Sequence, residues 1–524
     1  MSMTWLANAD KLTSWCHHTW NDFASLPEKS RYLAVLPIHG FSDHGMGLPL
    51  DIEEVVGSEI LRQTAVSTAA QIGLRILPPL RFGLAPLPGS FFGLDPETAH
   101  EVLAEIASSV QAAGFRKLVF FSTSPWNEEW IDAASRDTRV ALGLQTFVIN
   151  LSGLGLDFHP AGQGREKLQA AGARLLSCSP EKDLPAEDVS DSSFRPGFWR
   201  QPPPVSFNPS LDGAEILADA SAHLGRLLLE IDQKPGLEKA SSASVRPPAG
   251  LPTSPATSTT LPNVWPAYRP RYLAAFTRRE LEALPHKAET LVIIPTGAIE
   301  QHGYHLPVGV DSILGQAWLN HALPKLPDTA RVLVTPPITF GKSNEHIGFP
   351  GTVWLSAKSL RRLLWMQARQ LHALGFRTMG ILNTHGGNSA VIVYTLREIQ
   401  AELGLRIGMI GSGYSPALSP VEREFGFHAG EWETSLMLAA TEGVVRMDRA
   451  VCEYPARPED PGELRPENAP AIFSWISRDI SQSGTMGDAT AASEEKGKRW
   501  MEEASSALAQ RIIELCLSLS QTKD

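Results

Sequence analysis

The chain has 524 residues, 43% hydrophobic and 20% charged, with a net charge of −11. That length exceeds one ordinary domain and points to two or more. The acidic balance, with no Lys/Arg-rich run, argues against nucleic acid as the main partner.

In chain order, an apolar strand is expected at 33–36, leading into Pro37, with His44 and Gly45 shortly after. Strands and helices then alternate to about residue 234. Residues 235–270 are Pro, Ser, Ala and Thr with almost no periodic apolar positions. Such a segment cannot bury enough surface to offset its ordering entropy, so a linker is expected there. It separates a first half, 1–234, from a second, 271–524. In the second half the apolar run 291–294 predicts a strand that breaks at Pro295. A helix is expected at 312–323, a strand at 331–335, and an amphipathic helix at 356–374 with Ser356 as N-cap. A strand at 378–382, a helix at 389–403 ending near Gly404, and a strand at 405–410 follow. A helix begins near His428, and a long terminal helix spans 495–519. This alternation predicts parallel sheets covered on both faces, with ligands gathered outside the carboxyl ends of the strands.

The cysteines Cys16, Cys178, Cys452 and Cys516 are scattered, with no CxxC pair. They read as reduced thiols of a cytoplasmic protein. No signal peptide is expected from the first residues, and no apolar run approaches the ~20 residues needed to span a bilayer.

The halves repeat each other. Pro78-Pro79-Leu80-Arg81-Phe82-Gly83 matches Pro336-Pro337-Ile338-Thr339-Phe340-Gly341, and Ala113-Gly114-Phe115-Arg116 matches Leu374-Gly375-Phe376-Arg377. Pro88-Gly89-Ser90-Phe91 likewise matches Pro350-Gly351-Thr352-Val353. His44 stands against His302, but Ser42 stands against Glu300 and Ser124 against His385. Glu53 falls against Asp311, with Asp51 close enough to compete. The first half therefore reads as a copy that kept the fold and lost a metal site. A separate site of Asp43, His44, Asp51 and Glu53 is the alternative.

Three clusters in the second half carry chemistry. The first delivers Glu300, His302, His305 and Asp311 directly after a strand. Glu300 and His302, two apart, project to one side of extended backbone. Carboxylates mixed with imidazoles suit zinc, manganese or iron(II) rather than calcium. The second cluster is Asn383-Thr384-His385-Gly386-Gly387-Asn388, between a strand and a helix N-terminus that favours an anion. The third is His428-Ala429-Gly430-Glu431-Trp432-Glu433-Thr434-Ser435. Each alone is explained by solvated charges or helix capping; together they point to a metal centre.

In this order the clusters, with Phe349-Pro350-Gly351-Thr352 and Gly487-Asp488, resemble the creatininase (creatinine amidohydrolase) family from about residue 272 to 519. The resemblance implies two three-layer α/β/α domains with mainly parallel sheets, the first degenerate. It implies a dinuclear amidohydrolase cleaving a C–N bond of a small amide, and a homo-oligomer. Glu300 and His385 would hold one divalent ion, His302 the second, and Asp311 would bridge both. Glu433, or else Glu431, would complete the set, with zinc ahead of manganese or iron(II). His428 would protonate the leaving nitrogen, helped by Glu431. Tyr304, His305, Glu345, His346 and Trp432 are candidates for substrate contact. Creatininase itself has a metal-binding carboxylate two residues after the histidine matching His385, where this chain has Gly387. The HGGN form resembles relatives that hydrolyse other small amides, among them deformylases and peptidases. A deformylase or small-peptide hydrolase is thus an alternative, and a non-catalytic assembly protein is the alternative of another class.

Overall fold

A computed structural model describes residues 12–521 apart from 85–89, 181–204, 235–265, 267, 456 and 468. The expected linker lies almost wholly outside the described residues, as do Pro88 and Gly89. No helix among the described residues is long and apolar enough to cross a membrane.

Two parallel sheets carry the fold. In the first, Leu33–His39 lies between Leu74–Ile76 and Lys117–Ser122, with Gln145–Asn150 beyond. In the second, Leu291–Thr296 lies between Val332–Val334 and Thr378–Asn383, with Arg406–Met409 beyond. The order is the same, and so is the register. Leu33 faces Leu74 and Lys117 as Leu291 faces Val332 and Thr378. Counting from these pairs sets Ser42 against Glu300, His44 against His302 and Ser124 against His385. The helix Ile52–Thr68 begins one residue before Glu53, as Val310–Ala322 begins one residue before Asp311. Glu53, not Asp51, is therefore the counterpart of Asp311.

Alternate residues of a strand face opposite sides of the sheet. Ala34, Leu36 and Ile38 enter one core, while Leu33 and Val35 enter another. Both faces are thus covered, which is why these strands read as continuous apolar runs. The core that holds Ala34 and Leu36 also takes in Ile299, Val308, Phe340, Val353 and Leu355 from the second half. Polar ties also join the first half to the chain beyond it. Arg269 makes a paired contact with the fully buried Asp51, at 2.6 and 2.9 Å. Arg81 pairs with Glu54 and donates to Thr339 Oγ1 at 3.1 Å.

Two expectations need correction. The strand does not stop at Pro295 but runs through it to Thr296. A strand residue points its N–H and C=O the same way, and the Pro295 carbonyl accepts from Ile338 N at 2.9 Å. The missing donor therefore faces the side where Val332–Val334 has already ended, and no ladder bond is lost. The helix expected near His428 begins at Glu431, with Gly430 at the N-cap. His428 is instead tied as a bridge to Met486, and Ala429 sits in the left-handed region at φ 54°. A non-glycine residue held there costs on the order of 1 kcal/mol, and such strain gathers at functional sites.

Candidate metal centre

The second sheet delivers its polar residues at one end. Glu300 leaves the strand Leu291–Thr296 on a loop held by a hydrogen bond from its own N–H to Val308 O at 2.8 Å. Asp311 stands in the first turn of Val310–Ala322, and Thr384 Oγ1 donates to its carbonyl at 2.8 Å. Thr384 thereby locks that helix to the loop carrying His385. Asn388 spans the same loops: its Nδ2 donates to Gly297 O at 3.0 Å, and its Oδ1 accepts from Lys342 N at 2.8 Å.

The side chains converge in the interior. Asp311 turns its two oxygens to different imidazoles, Oδ1 at 3.5 Å from His302 Nε2 and Oδ2 at 3.7 Å from His385 Nδ1. Glu300 Oε2 is 3.2 Å from His385 Nδ1, and Glu433 Oε2 is 3.9 Å from His302 Nε2. His428 Nδ1 is 3.7 Å from Glu300 Oε1.

Each of three imidazoles spends its outer nitrogen on a backbone carbonyl. His302 Nδ1 donates to Glu300 O at 3.0 Å, His385 Nε2 to Lys342 O at 3.0 Å, and His428 Nε2 to Gln301 O at 2.8 Å. A carbonyl can only accept, so the inward nitrogen of each neutral ring carries a lone pair. This is how metal-bound histidines are held. Among the described residues, Glu300 Oε2, His302 Nε2 and Asp311 Oδ2 are buried without a hydrogen-bond partner. Buried polar atoms are rarely left so, and these meet at one point. Glu300, His302 and Asp311 offer ligand atoms close enough for one cation, as do His302, His428 and Glu433. The donor set fits divalent ions.

Electrostatics agree. Burial opposes charge on His302, yet Asp311, with Glu433 and Glu300 behind it, holds the imidazole at about 9. Burial likewise opposes charge on His385, which Glu300 holds well above the usual histidine range. Protons stand on these rings where a cation would replace them. Glu433 is pushed up to about 7, by burial first and then by Asp311. His428 is held well below the usual range by burial and by the neighbouring His302 and His346.

The other candidates separate. Gln301 Nε2, which can only donate, lies 2.9 Å from His346 Nδ1, with Ser477 Oγ 2.8 Å from the same nitrogen; this leaves Nε2–H to Glu300 Oε1 at 3.3 Å. It is thus placed to orient Glu300. Glu345 Oε1 is 3.5 Å from His385 Nε2, and Oε2 pairs with Lys342 at 2.9 Å. Tyr304 is half-buried, with its ring 5.1 Å from that of Trp20. Three residues are not brought to the centre as expected. His305 is fully buried with Nε2 on Thr434 Oγ1 at 2.8 Å. Trp432 is packed between Tyr414 and Trp500. Glu431 gives its carboxylate to Lys496 at 2.5 Å instead of to His428. Sequence reasoning missed Gln301, whose Nε2 also donates to Gly484 O at 3.0 Å and whose Oε1 accepts from Gly303 N at 2.9 Å. Its place inside the Glu300-Gln301-His302 run was the available signal.

Buried imidazoles and carboxylates converging at the mouth of a parallel sheet define a candidate metal centre. The sequence profile of the creatininase family, described as creatinine amidohydrolase, matches residues 17–181 and 274–512. The chain belongs to the creatininase family, and both halves contribute to the match. It is 31% identical over 247 residues to the mycofactocin precursor peptide peptidase of Mycolicibacterium smegmatis, covering 46% of this chain and 91% of that protein. It is 30% identical over 265 residues to the creatinine amidohydrolase of Pseudomonas putida, covering 46% and 96%. A solved creatininase with manganese aligns at 25% identity and a TM-score of 0.38, covering 47% of this chain and 98% of that one.

Proposed function

We propose that the second half is a metal-dependent amidohydrolase that cleaves a C–N bond of a small amide. One divalent ion would be held by Glu300, Asp311 and His385, and a second by His302, Asp311 and Glu433. Zinc or manganese suits this donor set. Ions held there supply Lewis acidity toward a carbonyl and a water. The observation that carries the reading is that His302 and His385, each with its outer N–H on a backbone carbonyl, turn their other ring nitrogens toward Asp311 and Glu300.

His428 is the group that moves the proton. Its Nε2–H is fixed on Gln301 O, so Nδ1 is free to take a proton from the attacking water and return it to the leaving nitrogen. Glu431, engaged by Lys496, fixes the helix start and leaves Glu433 as the ligand. Glu345 borders the centre beside His385, and it and Tyr304 would meet substrate. The first half, 1–234, supplies a fold without a metal, joined through 235–270 to the catalytic half, 271–524.

A small-peptide hydrolase on the same centre is the second reading. It is favoured by the peptidase relative and by Gly387, which removes a side chain beside His385. Elemental analysis of protein purified without chelators tests the centre, with about two divalent ions per chain expected. Less than about one ion after reconstitution with zinc, manganese and iron(II) would sink it. A screen of creatinine, other cyclic amides, formamides and short peptides then separates the two readings.

A further inference from the structure

A short segment of the first half, residues 15–25, lies against the loops that carry the proposed ligands. His18 O accepts from Val308 N at 2.9 Å, and Cys16 O accepts from Gly309 N at 3.2 Å. Val308 in turn accepts from Glu300 N at 2.8 Å, and Gly309 is the N-cap of the helix that begins with Val310 and Asp311. The approach is close: a Cβ on Gly309 would stand 2.8 Å from Cys16 Cβ and 2.9 Å from Cys16 O. Two carbonyls of the first half therefore hold two consecutive residues, Val308 and Gly309, at the end of the loop between Glu300 and Asp311.

The same segment grips two further loops. Trp15 Nε1 donates to Gly351 O at 2.8 Å. Trp20 Nε1 donates to Ser483 O at 2.8 Å, next to Gly484, whose carbonyl receives Gln301 Nε2. The Trp20 ring packs at 5.1 Å from both Tyr304 and Phe349, and the Arg478 guanidinium lies 3.9 Å from the Phe349 ring centre and 5.2 Å from that of Trp20. Trp20 is 7% exposed, so these contacts form inside the molecule.

We propose that residues 15–25 of the first half are a positioning clamp for the metal centre of the second, with Trp20 its anchor. Trp20 acts through Tyr304 and Ser483, while the carbonyls of His18 and Cys16 hold the backbone at Val308 and Gly309. The metal-free copy thus has a defined task, which is to hold Glu300, Gln301 and Asp311 at the spacing the ions require. This inference rests on the proposed metal centre for its consequence but not for its geometry.

The test uses the full chain with Trp20→Ala, Trp20→Phe and, as a control of comparable burial in a core confined to the first half, Leu61→Ala. The first readout needs no metal: amide hydrogen exchange across residues 299–311. Trp20→Ala is expected to speed exchange there, Trp20→Phe to restore protection by returning a ring against Tyr304, and Leu61→Ala to leave the stretch protected. The second readout is affinity for cobalt(II), followed by its visible spectrum. Trp20→Ala is expected to weaken it by about tenfold or more, as loss of supporting contacts does at metal sites. Equal exchange in Trp20→Ala and the parent, or equal acceleration in Leu61→Ala, overturns the clamp. A parent chain that binds no cobalt overturns the metal reading instead, while the exchange result still decides the clamp.

Discussion

The Glu345 carboxylate occupies the space in which a side chain at Gly387 would stand: a Cβ built there would collide with Glu345 Oε1. The same Cβ would stand 2.5 Å from His385 Nε2. The absence of a side chain at 387 is thus what lets the loop at 344–346 bring a carboxylate against His385. Gly387→Ala should therefore expel Glu345 and disturb His385, lowering metal content below that of the parent. Glu345→Ala in the same chain should recover part of it by reopening the space. Metal content by elemental analysis checks both; an unaffected single variant would show that Glu345 yields without cost.

Asp311→Ala should abolish turnover and take both ions, because its two oxygens face different imidazoles. The count should fall from about two per chain to near zero.

Glu433→Gln and Glu431→Gln should part company. The first removes an oxygen facing His302, so metal is lost; the second loosens a contact to Lys496, so metal is kept. His428→Ala should lower turnover by about 10²-fold or more with metal retained, as expected for a proton-transfer group. Loss of metal in the His428 variant would make it a ligand.

In the first half, Glu53 Oε1 lies 2.9 Å from His44 Nε2 and Oε2 accepts from Gly40 N at 2.8 Å. The carboxylate matching Asp311 is already satisfied. Ser42→Glu or Ser124→His, each restoring one residue type of the second half, should leave metal content and activity nearly unchanged. A third ion per chain would contradict this.

His39 provides a pH signal away from the metal centre. Burial, then the Arg81 charge, lowers it to about 3 in the folded chain, and its Nδ1 is 2.8 Å from Thr123 Oγ1. Unfolding returns it to about 6.5. The unfolded chain then binds a proton that the folded one refuses. The contribution to stability is full above about pH 6.5 and is lost as pH falls toward 3, at up to ~1.4 kcal/mol per pH unit. Urea midpoints at pH 7.5, 6.5 and 5.5 should fall less steeply in His39→Asn than in the parent. Parallel slopes would refute the assignment.

Much of this was legible in the sequence because the motifs are local. Glu300, His302 and Asp311 lie on one strand-to-helix connection, and the strand-to-helix turn after Thr378–Asn383 brings His385. The repeat showed the duplicated fold, because equal spacings between strands preserve register. What was not legible depended on which way side chains point and on distant partners. Glu431 and Glu433 are two apart on a helix, about 200° around it, so only one can face the centre. The Glu431 pairing with Lys496, and the packing of Trp432 against Trp500, come from the terminal helix. Pro295 misled because its effect depends on where the neighbouring strand ends. The clamp at residues 15–25 joins positions hundreds of residues apart, and no periodicity records that.

The His44 and Glu53 pair has one more consequence, for the order in which the molecule is made. The centre of the first half is closed by groups of its own chain, so nothing there waits for an ion. It also leaves the ribosome first, and chains tend to fold from that end. Its core is nevertheless completed by Ile299, Val308, Phe340, Val353 and Leu355, which are synthesised later. The first half and the proposed metal centre are therefore finished together, once the loop between Glu300 and Asp311 has docked on residues 15–25.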